Sequence, residues 1–204
     1  MTKTTTSNGA TATLTKGNLK LDKSILIWSI PAIQTCPNCQ DCAKHCYARK
    51  AEKVYPAVLP CRNANWQAAE SEDFVQAMVR LIKTTQKNAK KYTPKAVRIH
   101  ESGDFYSKAY AEKWAQIARQ CPDLVFYGYT KAVENLPENL PNNMNIVHSL
   151  LDGNVNFGSW EYVKALAKEH HAAICPYGLT KHHFTCGTDC QACLKKDKIV
   201  FLQH

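Results

Sequence analysis

The sequence predicts an α/β protein, with a parallel sheet that is open or rolled into a partial (βα) barrel and a cysteine-rich C-terminal segment. Three observations carry this prediction. Short apolar runs alternate with amphipathic stretches of helical period, the pattern of βαβ units. Residues able to do chemistry fall just after the predicted strands, at the edge where parallel α/β folds bind their ligands. Eight of the ten cysteines fall in two runs, one after the first strand and one near the C-terminus.

Taken in order, Met1 to Gly17 is rich in Thr, Ser, Asn and Gly and reads as a disordered tail (1–17). It precedes an α/β domain (18–175) and a C-terminal extension packed on that domain (176–204). Ile25 to Ile30 forms the first strand, stopped by Pro31. Residues 71–91 read as a helix. Ser71 is its N-cap, Glu72 and Asp73 complement the positive end of the dipole, Phe74, Met78, Leu81 and Ile82 form the apolar stripe, and Lys87, Lys90 and Lys91 close it. Thr93-Pro94 ends that helix, and Ala96 to His100 is the second strand. Ser107 caps the next helix, whose Tyr110, Trp114, Ile117 and Cys121 share one face before Pro122. Strands at Leu124–Thr130 and Asn145–Leu150, a helix from Ser159 to His171 and a short strand Ala172–Cys175 complete the alternation.

Composition narrows the class. With 45% apolar and 21% charged residues the chain can build a core and is not held expanded by charge. The longest apolar stretch, Ser24 to Ile33, falls short of the roughly 20 residues that span a bilayer, and the N-terminus shows no apolar signal region. A cytoplasmic protein without a membrane partner is expected. Thiols stay reduced there, so ten cysteines read as metal ligands rather than disulfides. The net charge of +9 lies wholly in the first half, where residues 1–100 hold 16 basic and 6 acidic side chains against 10 and 11 in 101–204. Such asymmetry suits a phosphate-rich partner, a nucleic acid or nucleotide.

The first cysteine run, Cys36-x2-Cys39-x2-Cys42-x3-Cys46, has the spacing that lets thiolates converge on a 4Fe-4S cubane. The second, Cys175-x10-Cys186-x3-Cys190-x2-Cys193, suits a second cubane or a tetrahedral zinc. Cys61 and Cys121 lie outside both runs and read as core residues. Between the runs, Ser102-Gly103-Asp104 follows a strand directly. Gly103 would let the backbone approach a ligand, and Asp104 would grip an amine or hydroxyl. His100, His148 and Lys131 occupy comparable strand ends, while the pairs His170-His171 and His182-His183 read as surface residues. There is no G-x-S-x-G elbow, P-loop or G-x-G-x-x-G, and no zinc-deaminase pattern, so the hydrolase, NTPase and deaminase classes fall away.

Together these motifs resemble the gene product 88-like family of phages and plasmids, from about Gly17 to His204. The matching pieces are Gly17-Asn-Leu-Lys-Leu21, Ser29-Ile-Pro-Ala32, Thr35-Cys-Pro37, Cys42-x3-Cys46-Tyr-Ala48, Arg98-Ile-His-x-Ser-Gly-Asp-Phe105, Phe126-Tyr-x-Tyr-Thr-Lys131, the Cys186-x3-Cys190-x2-Cys193 run and Phe201 to His204. The family pattern implies Cys36, Cys42 and Cys46 as the first ligand set, with Cys39 an addition. A more distant similarity is to radical-SAM enzymes, which place three cysteines after strand one and a Gly-acidic turn after strand two. That similarity implies Ser102, Gly103 and Asp104 holding S-adenosylmethionine.

The resulting expectation is an iron–sulfur protein with one or two 4Fe-4S clusters, radical-SAM-like in fold, acting on a nucleic acid or nucleotide. Its metal ligands are Cys36, Cys39, Cys42, Cys46, Cys175, Cys186, Cys190 and Cys193, and its catalytic residues are Asp104, Lys131 and His100. The alternative is a non-enzymatic nucleic-acid-binding protein stapled by zinc. Whether the chain is an enzyme, and its oligomeric state, stay open at this point.

Overall fold

A computed structural model describes residues 1–39, 42–149, 160–169, 171, 173–174, 186, 190–195 and 199–200. Its centre is a six-stranded sheet of β1 (Thr2–Thr5), β2 (Thr11–Lys16), β3 (Ile25–Trp28), β4 (Ala96–Ile99), β5 (Val125–Thr130) and β6 (Met144–His148), whose order in space equals their order in the chain. β3 to β6 run parallel, and β1 and β2 add antiparallel to the β3 side. The mixed, mostly parallel α/β class agrees with the expectation. Among the described residues nothing joins β6 back to β1, and the sheet is open there.

The N-terminal tail expectation is corrected by the hairpin β1–β2. Thr6 and Ala10 close its turn, Gly9 supplies the left-handed φ of 84° that the turn requires, and Ala12 and Leu14 point into the core. Serine and asparagine in that turn tie it to the body. Ser7 donates through its backbone N–H at 2.9 Å and its hydroxyl at 3.0 Å to Asp73, and Asn8 donates to the carbonyl of Gln67. This use of Asp73 also moves the next helix boundary. Ser71 hydrogen-bonds the Asp73 carboxylate instead of capping, and the helix begins at Phe74.

Two helices that periodicity did not reveal, α1 (Tyr47–Val54) and α2 (Val58–Ala69), precede α3 (Phe74–Lys87). α2 buries Arg62 and Asn65, polar groups that break an apolar stripe. Asn65 stands where β2 and β3 diverge. Its amide exchanges two hydrogen bonds with the backbone of Thr13 and donates a third to the carbonyl of Ser29, satisfying strand groups left without a neighbour. α4 (Lys108–Gln120) starts as expected, with the Ser107 hydroxyl accepting from the Tyr110 N–H, and it buries Tyr110, Trp114 and Ile117.

One sheet face, carrying Leu26, Trp28, Val97, Ile99 and Phe126, packs against α2, α3 and α4 around Phe74, Trp114 and Tyr110. The opposite face carries Ile25, Ile27, Ala96 and Tyr127 and meets Leu21, Cys186, Cys193 and Leu194. Farther along, α5 (Trp160–Glu169) is followed by β7 (Ala173–Ile174), which pairs with β8 (Ile199–Val200) rather than joining the main sheet, and α6 (Ala192–Lys195) lies between β7 and β8 in the chain. No helix among the described residues is long and apolar enough to cross a membrane.

Candidate functional site

The loop after β3 carries the first cysteine run, and its root is fixed by the turn after β4. Gly103 has a φ of 88°, and a Cβ there would lie 2.2 Å from Ile30 Cγ1 and 2.7 Å from Thr35 Oγ1. The glycine therefore admits the cysteine loop against the turn, not a ligand. Asp104 completes the junction. Its backbone N–H donates to the Thr35 carbonyl at 3.1 Å. Its carboxylate accepts from Phe105 N–H (2.7 Å), from the Thr130 hydroxyl (2.5 Å) and from Lys131 N–H (3.0 Å). Buried and engaged three times, this carboxylate clasps the ends of β4 and β5 to the loop. Lys131 contributes its backbone on both sides, its carbonyl accepting from Asn38 Nδ2 at 2.9 Å. Ser102 is buried with its hydroxyl unpartnered among the described residues, and its carbonyl accepts from Ile30 N–H.

Within the protein, then, the open side of Gly103 is filled by Ile30 and Thr35, and the Asp104 oxygens accept from protein donors.

His100, just after β4, lies on the helix side of the sheet. A left-handed φ of 64° turns it to the helix side, where it is buried against Phe105 with ring centroids 4.7 Å apart. Its Nε2 meets the Tyr110 hydroxyl at 2.9 Å, and the same hydroxyl accepts from Trp28 Nε1. Burial pushes its pKa down to about 3 from 6.5. A base depressed in the folded state loses stability as the unfolded chain gains a proton that the folded one refuses. Stability is therefore unaffected above pH 6.5 and falls by about 1.4 kcal/mol per pH unit below it toward pH 3. Urea unfolding of His100→Gln is expected to show a flatter acid limb between these limits; an unchanged slope would assign it to another group. His148, at the end of β6, is exposed.

The cysteines of the first run lie along one loop. Cys42 opens a 3-10 turn, Cys42–His45, and its thiol contacts the Cys39 carbonyl at 3.5 Å. Cys46 stands at the N-cap of α1. Burial pushes the Cys36 thiol up to about 12, with the nearby Asp104, Cys39 and Cys42 adding to the rise. Without a cation beside it this sulfur stays protonated. Exposed Lys44, Arg49, Lys50 and Lys53 flank the run.

The second run lies against the helix-free face of the sheet. Cys186 exchanges backbone hydrogen bonds with Lys20 and Asp22 and bridges to Leu21 and Cys190. Cys193 accepts from the Tyr129 hydroxyl at 2.7 Å, and its carbonyl accepts from Asn145 Nδ2. Cys175, His182 and His183 lie outside the described residues. Among those residues, no three Cys, His, Asp or Glu side chains are grouped closely enough to hold one metal ion. Cys121 is buried as expected, whereas Cys61 is half-buried.

Beside the loop, Ala32, Gln34, Arg49, Leu59, Asn63 and Trp66 line an open cleft of about 740 Å³. Its wall is braced by the Arg62–Glu52 pair at 2.8 Å, with Glu52 also accepting from Ala32 N–H. The expected site residues did not point to this cleft. Its walls come largely from α1, a short helix that buries only Ala48, and α2, which buries Arg62 and Asn65, so neither shows an apolar stripe.

Fold and site together define a mostly parallel, open-sheet α/β protein that roots a cysteine loop on the carboxyl edge of its strands. The chain belongs to the gene product 88 family, whose model matches residues 2–201 and so includes the N-terminal hairpin. It is similar to the gene 88 protein of Mycobacterium phage L5, 29% identical over 163 residues that cover 70% of this chain and 68% of the relative. It is also similar to the gene 88 protein of Mycobacterium phage D29, 38% identical over 102 residues, 48% of this chain and 42% of that protein. The second match thus spans less than half of the D29 protein. No solved structure matches the chain.

Proposed function

We propose that this phage-type protein is an iron–sulfur protein that acts on a nucleotide or nucleic acid, with Cys36, Cys42 and Cys46 as cluster ligands and Cys39 as an adjacent fourth thiol. The observation that carries the reading is the clasp. Gly103 and Asp104 fix the root of the cysteine loop at the edge where parallel sheets present ligands. The donor set suits the group chemically, being all sulfur with one member at a helix N-terminus. A cubane held by three thiolates would supply electron transfer or an open iron position. Lys44, Arg49, Lys50 and Lys53 provide the positive border that a polyanion needs.

A second reading applies to the C-terminal run. Cys186, Cys190 and Cys193 sit on a segment pinned by backbone hydrogen bonds, the closed setting of a structural zinc staple. In that reading zinc occupies this run, with or without iron at the first.

Metal and sulfide analysis of anaerobically purified protein tests both. About four iron and four sulfide per cubane, with visible absorption that bleaches on reduction, is the expected result. Cys36→Ala is expected to abolish the absorption, and Cys39→Ala to retain it. Zinc without sulfide at both runs would overturn the iron–sulfur reading.

A further inference from the structure

Arg98 stands in the middle of β4 on the helix-free face, in the row Ile27, Arg98, Tyr127 and Asn145 across four strands. Its guanidinium carbon lies 5.3 Å from the centre of the Tyr129 ring. Its Nε is sealed from solvent without a hydrogen-bond partner, and among the described residues the side chain makes no ion pair and no hydrogen bond. The contrast with Arg62 is direct: that buried guanidinium meets Glu52 and the Ala48 carbonyl. Glu101, near Arg98 in the chain, gives its carboxylate to Asn18 Nδ2 at 2.6 Å. Glu101 therefore acts on Arg98 only from a distance, and a desolvated cation with no directly paired counter-charge is costly to keep. Tyr127 is Arg98's neighbour in register and is buried as a residue, yet its hydroxyl also lacks a protein partner among the described residues. Two adjacent unpartnered donors, one a forked cation, therefore share one face. Arg98 is half-buried as a residue.

We propose that Arg98 and Tyr127 form a receptor for an oxyanion, the phosphate of a nucleotide-type ligand bound on the helix-free face. The guanidinium fork presents parallel N–H donors to two phosphate oxygens, and the tyrosine hydroxyl donates to a third. The proposal rests on the nucleotide half of the proposed function and not on the metal half, so a protein that holds only zinc leaves it standing.

The test is thermal unfolding of the full chain, as purified, titrated with inorganic phosphate, pyrophosphate or acetate against chloride at matched ionic strength. Phosphate and pyrophosphate are expected to raise the melting temperature saturably. Arg98→Met is expected to weaken the apparent affinity by about tenfold or more, the loss of a charge-assisted pair. Without anion, that variant is expected to melt no lower than the parent, because it removes an uncompensated charge. Tyr127→Phe keeps the ring and is expected to weaken the response severalfold. A response to acetate alone would overturn phosphate as the ligand. Equal responses in parent and Arg98→Met would overturn the site, as would failure of Arg98→Met to fold, since Arg98 would then have an internal counter-charge. Phosphate silence in a protein that does hold iron would sink this proposal while leaving the metal reading intact.

Discussion

Gly103→Ala is expected to destabilise the protein by about 4 kcal/mol, combining left-handed backbone strain of roughly 1–2 kcal/mol with overpacking of roughly 1–3 kcal/mol. The overpacking arises because the new methyl would fall 2.2 Å from Ile30 Cγ1 and 2.7 Å from Thr35 Oγ1. Ile30 is fully buried and cannot swing aside, so relief has to come from lifting the loop between Pro31 and Cys36 off the turn. Urea unfolding measures the loss, and a thiol-labelling time course reads the displacement, with Cys36 expected to react faster. Adding Ile30→Ala to Gly103→Ala removes the Ile30 part of the clash and leaves the Thr35 contact and the backbone strain, so the double variant is expected to lose less than the sum of the two single losses. A neutral Gly103→Ala would mean that loop and turn are not in contact.

Asp104→Ala is expected to cost about 3–4 kcal/mol, because three buried donors lose one acceptor group and each orphaned donor costs roughly 1–3 kcal/mol, with partial recovery by water. Those donors are the Thr130 hydroxyl and the N–H groups of Phe105 and Lys131. Asp104→Asn keeps one acceptor oxygen but turns an amide donor toward donors already there, so it is expected to fall between parent and alanine. A double-mutant cycle with Thr130→Val isolates the hydroxyl arm. The cycle is expected to show clear coupling, whereas simple additivity would mean that the two side chains do not meet in solution. If the cysteine loop holds metal, Asp104→Ala is expected to lose it together with stability. A variant that unfolds no more easily yet fails to bind ligand would return Asp104 to the ligand-gripping role that its place in the sequence suggests.

Much of the helix-side architecture was legible because it is local. Ser107 caps its helix, Tyr110, Trp114 and Ile117 point inward, and β3 to β5 fall within a residue or two of the predicted strands. The hairpin was missed because its threonine-rich composition reads as a polar tail, although the alternation of Ala12 and Leu14 with threonines in β2 and the turn signal Asn8-Gly9 could have found it. α2 was missed because its buried face includes an arginine and an asparagine whose partners, Glu52, Thr13 and Ser29, lie elsewhere in the chain. At the site, spacing located the cysteines but not the partners of the turn. A carboxylate at a strand end looks the same whether it grips a ligand or clasps Thr130 and Lys131 on the next strand. His100 shows the same limit in its backbone, since one left-handed residue sends its ring to the opposite side of the sheet from the one that alternation assigns.

Because strand order in space repeats strand order in the chain, each new strand of the main sheet finds its partner already synthesised. A ribosome can release this sheet edge-first, with β1 and β2 closing before β3 and each later strand adding to a finished neighbour. The exception is Cys186, which returns across most of the chain to Lys20 and Asp22. The helix-free face therefore keeps its Cys186 contacts unmade until the chain has been synthesised as far as that residue.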